Sequence, residues 1–285
     1  MSFLLAPAGG ICVTIEEKVS QLEEILGRLG SLAVAFSGGV DSTFLAAAAK
    51  RALGGRVVLV TARSATSSAA EQNDAAVVAN ALGIRHIWLD SAELSDRAFT
   101  ANDRERCYYC KKNRRASLVA WAKANGISWV AEGTNADDSG DYRPGIKAVA
   151  ELPAVVSPLL DVGFTKDEIR AVSRLWSLPT WDKPSAACLV SRLAYGLPVT
   201  EERLRQVEAA ELAVRRLVAG QVRVRHHGDL ARIEVAPAAF AALAAPDNAA
   251  AVTAAIRALG FTFVALDLAG YRTGSMNETL KLDEV

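Results

Sequence analysis

The chain has 285 residues, 51% of them apolar and 22% charged, with 32 basic residues set against 32 acidic ones for a formal net charge of zero. That composition is globular and long enough for one large or two modest domains, and the balanced charge disfavours whole-chain wrapping of a nucleic acid. No apolar run approaches the roughly 20 residues of a membrane-spanning helix, because Pro237, Pro246, Asp247, Asn248 and Arg257 interrupt the alanine-rich stretch 236–259. The N-terminal MSFLLAPAGGICV has no basic segment before its apolar residues and reads as a tail, not a signal peptide. Four cysteines are too few for a disulfide scaffold in a chain of this length. A reducing, cytoplasmic setting is expected.

In chain order, Val19, Leu22, Ile25, Leu26 and Leu29 have helical spacing and Gly30 ends the helix. A short apolar run at 32–36 then meets Ser-Gly-Gly and an alanine-rich helix over about 42–53. Further strands are expected at 57–61, 84–89, around Val130 and at 154–156, with helices over 68–82, 107–124 and 165–176. Strands alternating with helices imply a doubly wound parallel α/β sheet. Pro179 to Pro184 is irregular and marks a boundary, dividing the chain into domains 1–180 and 181–285. The second is expected to be a smaller α+β unit with a charged helix (200–218), a hairpin turning at His227-Gly228-Asp229, alanine-rich helices and a late strand at 261–266.

The strongest chemical signal is Ser37-Gly38-Gly39-Val40-Asp41-Ser42, set between a buried strand and a helix. Glycines allow a sharp turn that presents backbone N–H groups to an anion, and the following helix adds its positive end. A Walker A loop would need a Lys before the Ser, and a dinucleotide fingerprint a third Gly; both are missing. A purely structural Gly-Gly turn is the plainer alternative.

The hexapeptide resembles the PP-loop of the ATP pyrophosphatase superfamily, whose fold is HUP-like and which includes NAD synthetase, the ATPase domain of GMP synthetase and several thiolating enzymes. The resemblance implies that Ser37, Gly38, Gly39, Asp41 and Ser42 bind pyrophosphate and Mg²⁺. It also implies that Thr61-Ala62-Arg63 lies near adenine and that Glu132-Gly133-Thr134-Asn135 is a second nucleotide-side motif. Lys183-Pro184-Ser-Ala-Ala-Cys188-Leu-Val-Ser191-Arg192, taken with Glu-Gly-Thr-Asn, resembles the LarE family of sulfur transferases. That likeness covers nearly the whole chain, including Arg143-Pro144-Gly145 and the Val-Arg-Val-Arg hairpin.

Membership implies ATP-dependent conversion of pyridinium-3,5-biscarboxylic acid mononucleotide to the bisthiocarboxylic form by carboxylate adenylation, in nickel-pincer nucleotide biosynthesis. AMP and pyrophosphate would be released, Lys183 would sit on the nucleotide side, and Cys188 would be catalytic. The substrate would meet Arg192, Arg223, Arg225 and Glu234, and the protein would be a homo-oligomer, by likeness a hexamer. A cluster-dependent tRNA thiolase and an amide-forming adenylating ligase are the rivals.

In LarE proteins with a single cysteine the residue matching Cys188 is sacrificed and becomes dehydroalanine. Here Cys107 and Cys110 add two thiols, one turn apart if the segment is helical. With Cys188 they make three soft ligands suited to a [4Fe-4S] cluster with one iron left open, the arrangement understood for one branch of the family. A structural zinc site and a Cys107–Cys110 disulfide are the alternatives, and Cys12 reads as incidental.

The basic run Arg104, Arg106, Lys111, Lys112, Arg114 and Arg115 could be an RNA patch. Zero net charge and the lack of a recognisable RNA-binding domain favour a solvated helix face, or cations that serve the substrate's phosphate. Alternation puts Arg223 and Arg225 on one strand face, and Arg232 and Glu234 on one face of the partner strand. His226 and His227 face opposite sides, so a single metal is not expected to take both. His86 reads as structural, and Trp181 as a residue that could line the crevice.

Overall fold

The structure is a computed structural model that describes residues 13–140, 154–185 and 187–281. The N-terminal tail with Cys12, and the Arg143-Pro144-Gly145 run, lie outside the described residues. Helix α1 (Ile15–Arg28) opens with a reciprocal capping box between Thr14 and Glu17 and buries Leu22 and Leu26. It leads into β1 (Leu32–Ala35), followed by α2 (Val40–Leu53), β2 (Val57–Arg63), α3 (Ala69–Leu82), β3 (Arg85–Asp90), the one-turn α4 (Arg97–Thr100), α5 (Arg106–Ala124), β4 (Trp129–Ala131) and β5 (Val155–Val156). These strands form one parallel sheet in the order β3-β2-β1-β4-β5.

Period-two alternation divides the sheet's side chains between two cores. Leu32, Val34 and Leu59 face α1, α2, α3 and α7 (Lys166–Leu175), while Ala33, Val60 and Val130 face Leu118 and Ala122 of α5. The chain runs outward from β1 to β3 and then returns to the far side of β1 as β4. Ligands of open α/β sheets bind at such a reversal, beyond the carboxyl ends of the strands. The loops after β1 and β4 therefore flank a crevice.

After the short α6 (Pro158–Val162) and α7, a 3-10 turn at Leu189–Arg192 leads to α8 (Glu201–Arg215). Strands β6 (Val222–His227) and β7 (Leu230–Val235) form the expected hairpin, each slightly longer than its alternation suggested. The short α9 (Phe240–Ala244) and α10 (Pro246–Ala258) return the chain to β8 (Phe263–Leu266), which lies parallel on β7. The small sheet packs Val222, Val224, Ile233 and Val235 against Val214, Val252 and Ile256. A terminal turn, α11 (Glu278–Lys281), follows. Among the described residues no single helix is long and apolar enough to cross a membrane.

Candidate active site

Gly38 shows why the loop after β1 has its sequence. Its φ is +67°, and a Cβ there would lie 2.7 Å from the Ala75 backbone of α3, so only glycine fits. Gly39 caps α2 without using a side chain, leaving the first N–H groups of that helix open at its positive end. Ser37 and Ser42 brace the loop, their hydroxyls 3.1 Å apart, and Ser42 Oγ also donates to the Gly39 carbonyl at 3.3 Å. Gly133, at the end of β4, packs against this loop: a Cβ there would meet Asp41 Cβ and the Ser42 nitrogen at 3.2 Å.

The two loops open onto a cavity of about 730 Å³. Ser37, Gly39, Asp41, Ser42, Thr61, Gly133, Thr134, Lys183 and Cys188 all line it. Lys183 crosses from the second half of the chain to the Gly38 carbonyl at 3.2 Å and to Asp74 at 2.9 Å. Its position tethers the Cys188 segment to the Ser37–Ser42 side of the cavity. Thr61 uses its hydroxyl within the sheet, donating to the Phe36 carbonyl at 2.8 Å and pairing with His86 at 2.7 Å. Burial lowers the pKa of His86, in keeping with a structural role.

Several expected positions lie outside the lining. Arg63 does not reach the cavity: its cross-strand partner in the sheet register is Asp90, and the two form an exposed ion pair at 2.8 Å. Trp181 does not line the crevice either; it is 37% exposed, with Arg174 lying 5.1 Å from its ring centre. Arg192 is buried on Glu211 at 2.9 Å and donates to the Cys188 carbonyl at 2.9 Å, so it braces the cysteine from behind. Arg225 and Glu234 form a buried pair at 2.7 Å, with Ser275 bound to both. Arg223 is buried too, with the Tyr271 ring 5.4 Å away and its own neighbour Val222 as hydrogen-bond acceptor. Burial, and then the charge of Arg192, lower the Arg223 pKa.

The lining also includes residues that the motifs did not reveal. Lys166, in the first turn of α7, forms an ion pair with Asp41, whose other oxygen accepts from Asn135 Nδ2 at 3.3 Å. Lys111, Arg114, Arg115 and Leu118 project from one face of α5 at helical spacing, a stripe legible in the sequence once the helix is assigned. The solvated-face reading of this basic run fails for Arg106 and Arg115, which are buried. Arg115 holds Glu132, which also accepts from Ser157 at 2.6 Å; burial pushes the Glu132 carboxyl up, but Arg115 and these hydrogen bonds bring it below its ordinary value. Arg114 holds the fully buried Glu93 at 2.7 Å and also donates to Thr66 Oγ1. The Thr66 carbonyl in turn accepts from Leu189, beside Cys188.

Cys107 and Cys110 lie one turn apart at the start of the same helix, and all three described cysteines are free thiols. Burial, then the charge of Cys188, raise the Cys107 pKa; burial pushes Cys110 up to about 12, with Cys188, Glu93 and Cys107 adding to the rise and Arg114 opposing it. Among the described residues no three His, Cys, Asp or Glu side chains are arranged to hold a single metal ion. Three thiols are soft donors of the kind that iron–sulfur clusters take, whereas a structural zinc site calls for a fourth ligand.

Residues 28–110 match the asparagine synthase family. The chain is 40% identical to an uncharacterized protein of Synechocystis over 93% of this chain and 99% of that one. It is 32% identical to an uncharacterized protein of Methanocaldococcus jannaschii over 46% of this chain and 51% of that one. It is also 36% identical to the pyridinium-3,5-bisthiocarboxylic acid mononucleotide synthase of Lactiplantibacillus plantarum, over 94% of this chain and 96% of that one. With the Ser37–Ser42 loop, Lys183 and Cys188 around one cavity, and near full-length likeness to that synthase, the chain belongs to the LarE family.

Proposed function

We propose that the protein is an ATP-dependent sulfur transferase that converts pyridinium-3,5-biscarboxylic acid mononucleotide to its bisthiocarboxylic form. The observation that carries this reading is that Cys188 shares one cavity with Ser37–Ser42. A carboxylate is a poor acyl donor until its oxygen is joined to AMP, after which a sulfur nucleophile can displace the nucleotide. The cavity is suited to both steps, with phosphate-binding groups at one side and sulfur at the other.

In this reading the β- and γ-phosphates of ATP rest on the open N–H groups of the loop and the first turn of α2, with Ser37 and Ser42 as hydroxyl partners. Gly133 and Thr134 border the nucleotide, and Thr61 closes the adenine side. Lys166 and Lys183 face the pyrophosphate as it leaves, and Asp41 is placed to hold Mg²⁺, which neutralises charge on the phosphates. The substrate oxygen attacks the α-phosphorus; its bond to phosphorus forms as the bond to pyrophosphate breaks. Arg223, buried with no ion pair among the described residues, takes the substrate's phosphate or second carboxylate, and Arg225, Arg192 and Glu234 hold that seat in place.

Cys107, Cys110 and Cys188 would hold a [4Fe-4S] cluster, which when bound supplies an open iron where sulfide can reside. The protein works in the cytoplasm as a homo-oligomer, a hexamer by family likeness, with an ATP domain over 1–180 and a substrate and oligomerisation domain over 181–285. Incubation with ATP and the pyridinium substrate should release AMP and pyrophosphate. Release of ADP and phosphate would refute the adenylation step.

A further inference from the structure

Glu93 is a fully buried carboxylate away from the cavity lining. It opens the 3-10 turn Glu93–Ser95 after β3, and taking such a group out of water is costly unless partners meet its charge. Arg114 Nε and Nη2 both donate to its Oε1, at 3.1 and 2.7 Å, and Ser91 Oγ donates to Oε2. Thr66 closes the group: its hydroxyl accepts from Arg114 Nη2 at 2.6 Å and donates to Glu93 Oε1 at 3.4 Å. Thr66 is itself 1% exposed, and its N–H donates to Ser64 Oγ at 3.2 Å.

The two polar ends of Thr66 serve different parts of the chain. Its hydroxyl holds Arg114, which lies four residues after Cys110 and therefore on the same face of α5. Its carbonyl accepts at 2.8 Å from the N–H of Leu189, the residue after Cys188. Leu189 and Val190 bury their side chains in an apolar cluster with Phe99, against which Cys110 also packs. Apolar contact is non-directional, so that cluster brings the two segments together without fixing how they sit on each other. Hydrogen bonds have direction, and those at Thr66 supply it.

We propose that Thr66 is a positioning residue that sets the separation between Cys188 and the Cys107–Cys110 pair, with Arg114 and Glu93 locking its hydroxyl. This deepens the sulfur-transfer reading and rests on it for the reason that the three sulfurs must converge. The helix that carries two of the thiols and the turn that carries the third are joined through one buried side chain and its own carbonyl. Glu93 gives that joint its fixed charge, so Arg114 is held at Thr66 when the cavity fills or empties.

The test uses metal-free full-length protein, without ATP or substrate. Dibromobimane bridges two thiols that lie within its short span, and peptide mass shows which pairs are joined. The quantity read is the yield of Cys188 bridged to either helix cysteine, divided by the yield of Cys107 bridged to Cys110, a pair spaced by one helical turn. Thr66→Val keeps the shape and the carbonyl and loses the hydroxyl; it should lower this ratio by about threefold or more, the scale of one hydrogen bond. Thr66→Ser restores the hydroxyl and should stay within about twofold of the parent. A smaller fall in Thr66→Val, an equal fall in Thr66→Ser, or a parent protein in which Cys188 is not bridged would overturn the proposal. A lower melting temperature with an unchanged ratio would likewise leave Thr66 as a purely structural residue. If Thr66→Val does not fold, Thr66→Ala, which places no methyl group against Arg114, decides by the same ratio. AMP release in the parent protein tests the sulfur-transfer reading separately, and its failure would leave the bridging result standing.

Discussion

The carboxyl edge of the five-stranded sheet and the face of the three-stranded sheet both carry charged side chains, but in different surroundings. At the large sheet's edge, Asp41, Lys166 and Lys183 line an open cavity, where a ligand can exchange with their present partners. In the small sheet, Arg225 and Glu234 neutralise each other out of water, with Ser275 satisfying what remains. The same residue types thus remain open to a ligand in one place and hold the fold in the other. The deciding variable is whether an ion's partner is a ligand or another side chain. Arg106 and Arg223 cross this division, because they are buried like structural ions yet form no ion pair among the described residues.

The largest expected effect breaks the sulfur end of the cavity. If Cys107, Cys110 and Cys188 anchor one cluster, any single Cys→Ala variant should lose most iron, sulfide and visible absorbance after anaerobic reconstitution, and turnover with them. If Cys188 is instead sacrificed, Cys107→Ala and Cys110→Ala stay active, and the spent protein is lighter by one sulfur at position 188.

Paired substitutions test the contrast between the two sheets directly. Asp41→Ala should lower AMP formation by about 100-fold or more and leave the melting temperature nearly unchanged, because its partner Lys166 can turn to solvent. Glu234→Ala leaves Arg225 buried with no acid and should destabilise the fold by about 3–5 kcal/mol, measured by chemical denaturation. Similar stability losses in both variants would erase the distinction.

A smaller effect is expected at Arg223. Losing one charged hydrogen-bonding group costs about 1.5–3 kcal/mol, so Arg223→Ala should raise KM for the pyridinium nucleotide roughly 10- to 100-fold and leave KM for ATP unchanged. Salt-sensitive binding of tRNA would instead favour the thiolase rival.

The smallest effect is a pH slope in the small sheet. Burial, with the charges of Arg203 and His227, lowers the His226 pKa from 6.5 to about 4. A depressed histidine contributes its full stability above its unfolded value and loses it as pH falls toward the folded value. The melting temperature should therefore decline from pH 6.5 downward, before the carboxylates protonate, and less steeply in His226→Gln. His227 and His86, also lowered by burial, account for the residual slope.

Local patterns determine much of this molecule ahead of any tertiary contact. The strand, Gly-Gly loop and helix at 32–53 were legible because backbone sterics leave few residue choices at Gly38, and the alternation at 222–235 was legible because a strand has two faces. The Lys183-to-Cys188 motif carried the family, and the position of that motif on the cavity agrees with it. Partner choice was not legible. Whether an arginine meets a carboxylate depends on strand register and on side-chain packing: register gives Arg63 to Asp90, whereas Glu234, set opposite Arg223 by the pairing of β6 with β7, takes Arg225 diagonally. Alternation could place Arg223 and Arg225 on one face but could not say that the face is buried. Lys166 reached Asp41 from 125 residues away through the packing of α7 on α2. Sequence determines what each side chain can do over a few residues; only the fold decides which distant charge it meets, because that energy depends on separation in space and on the exclusion of water.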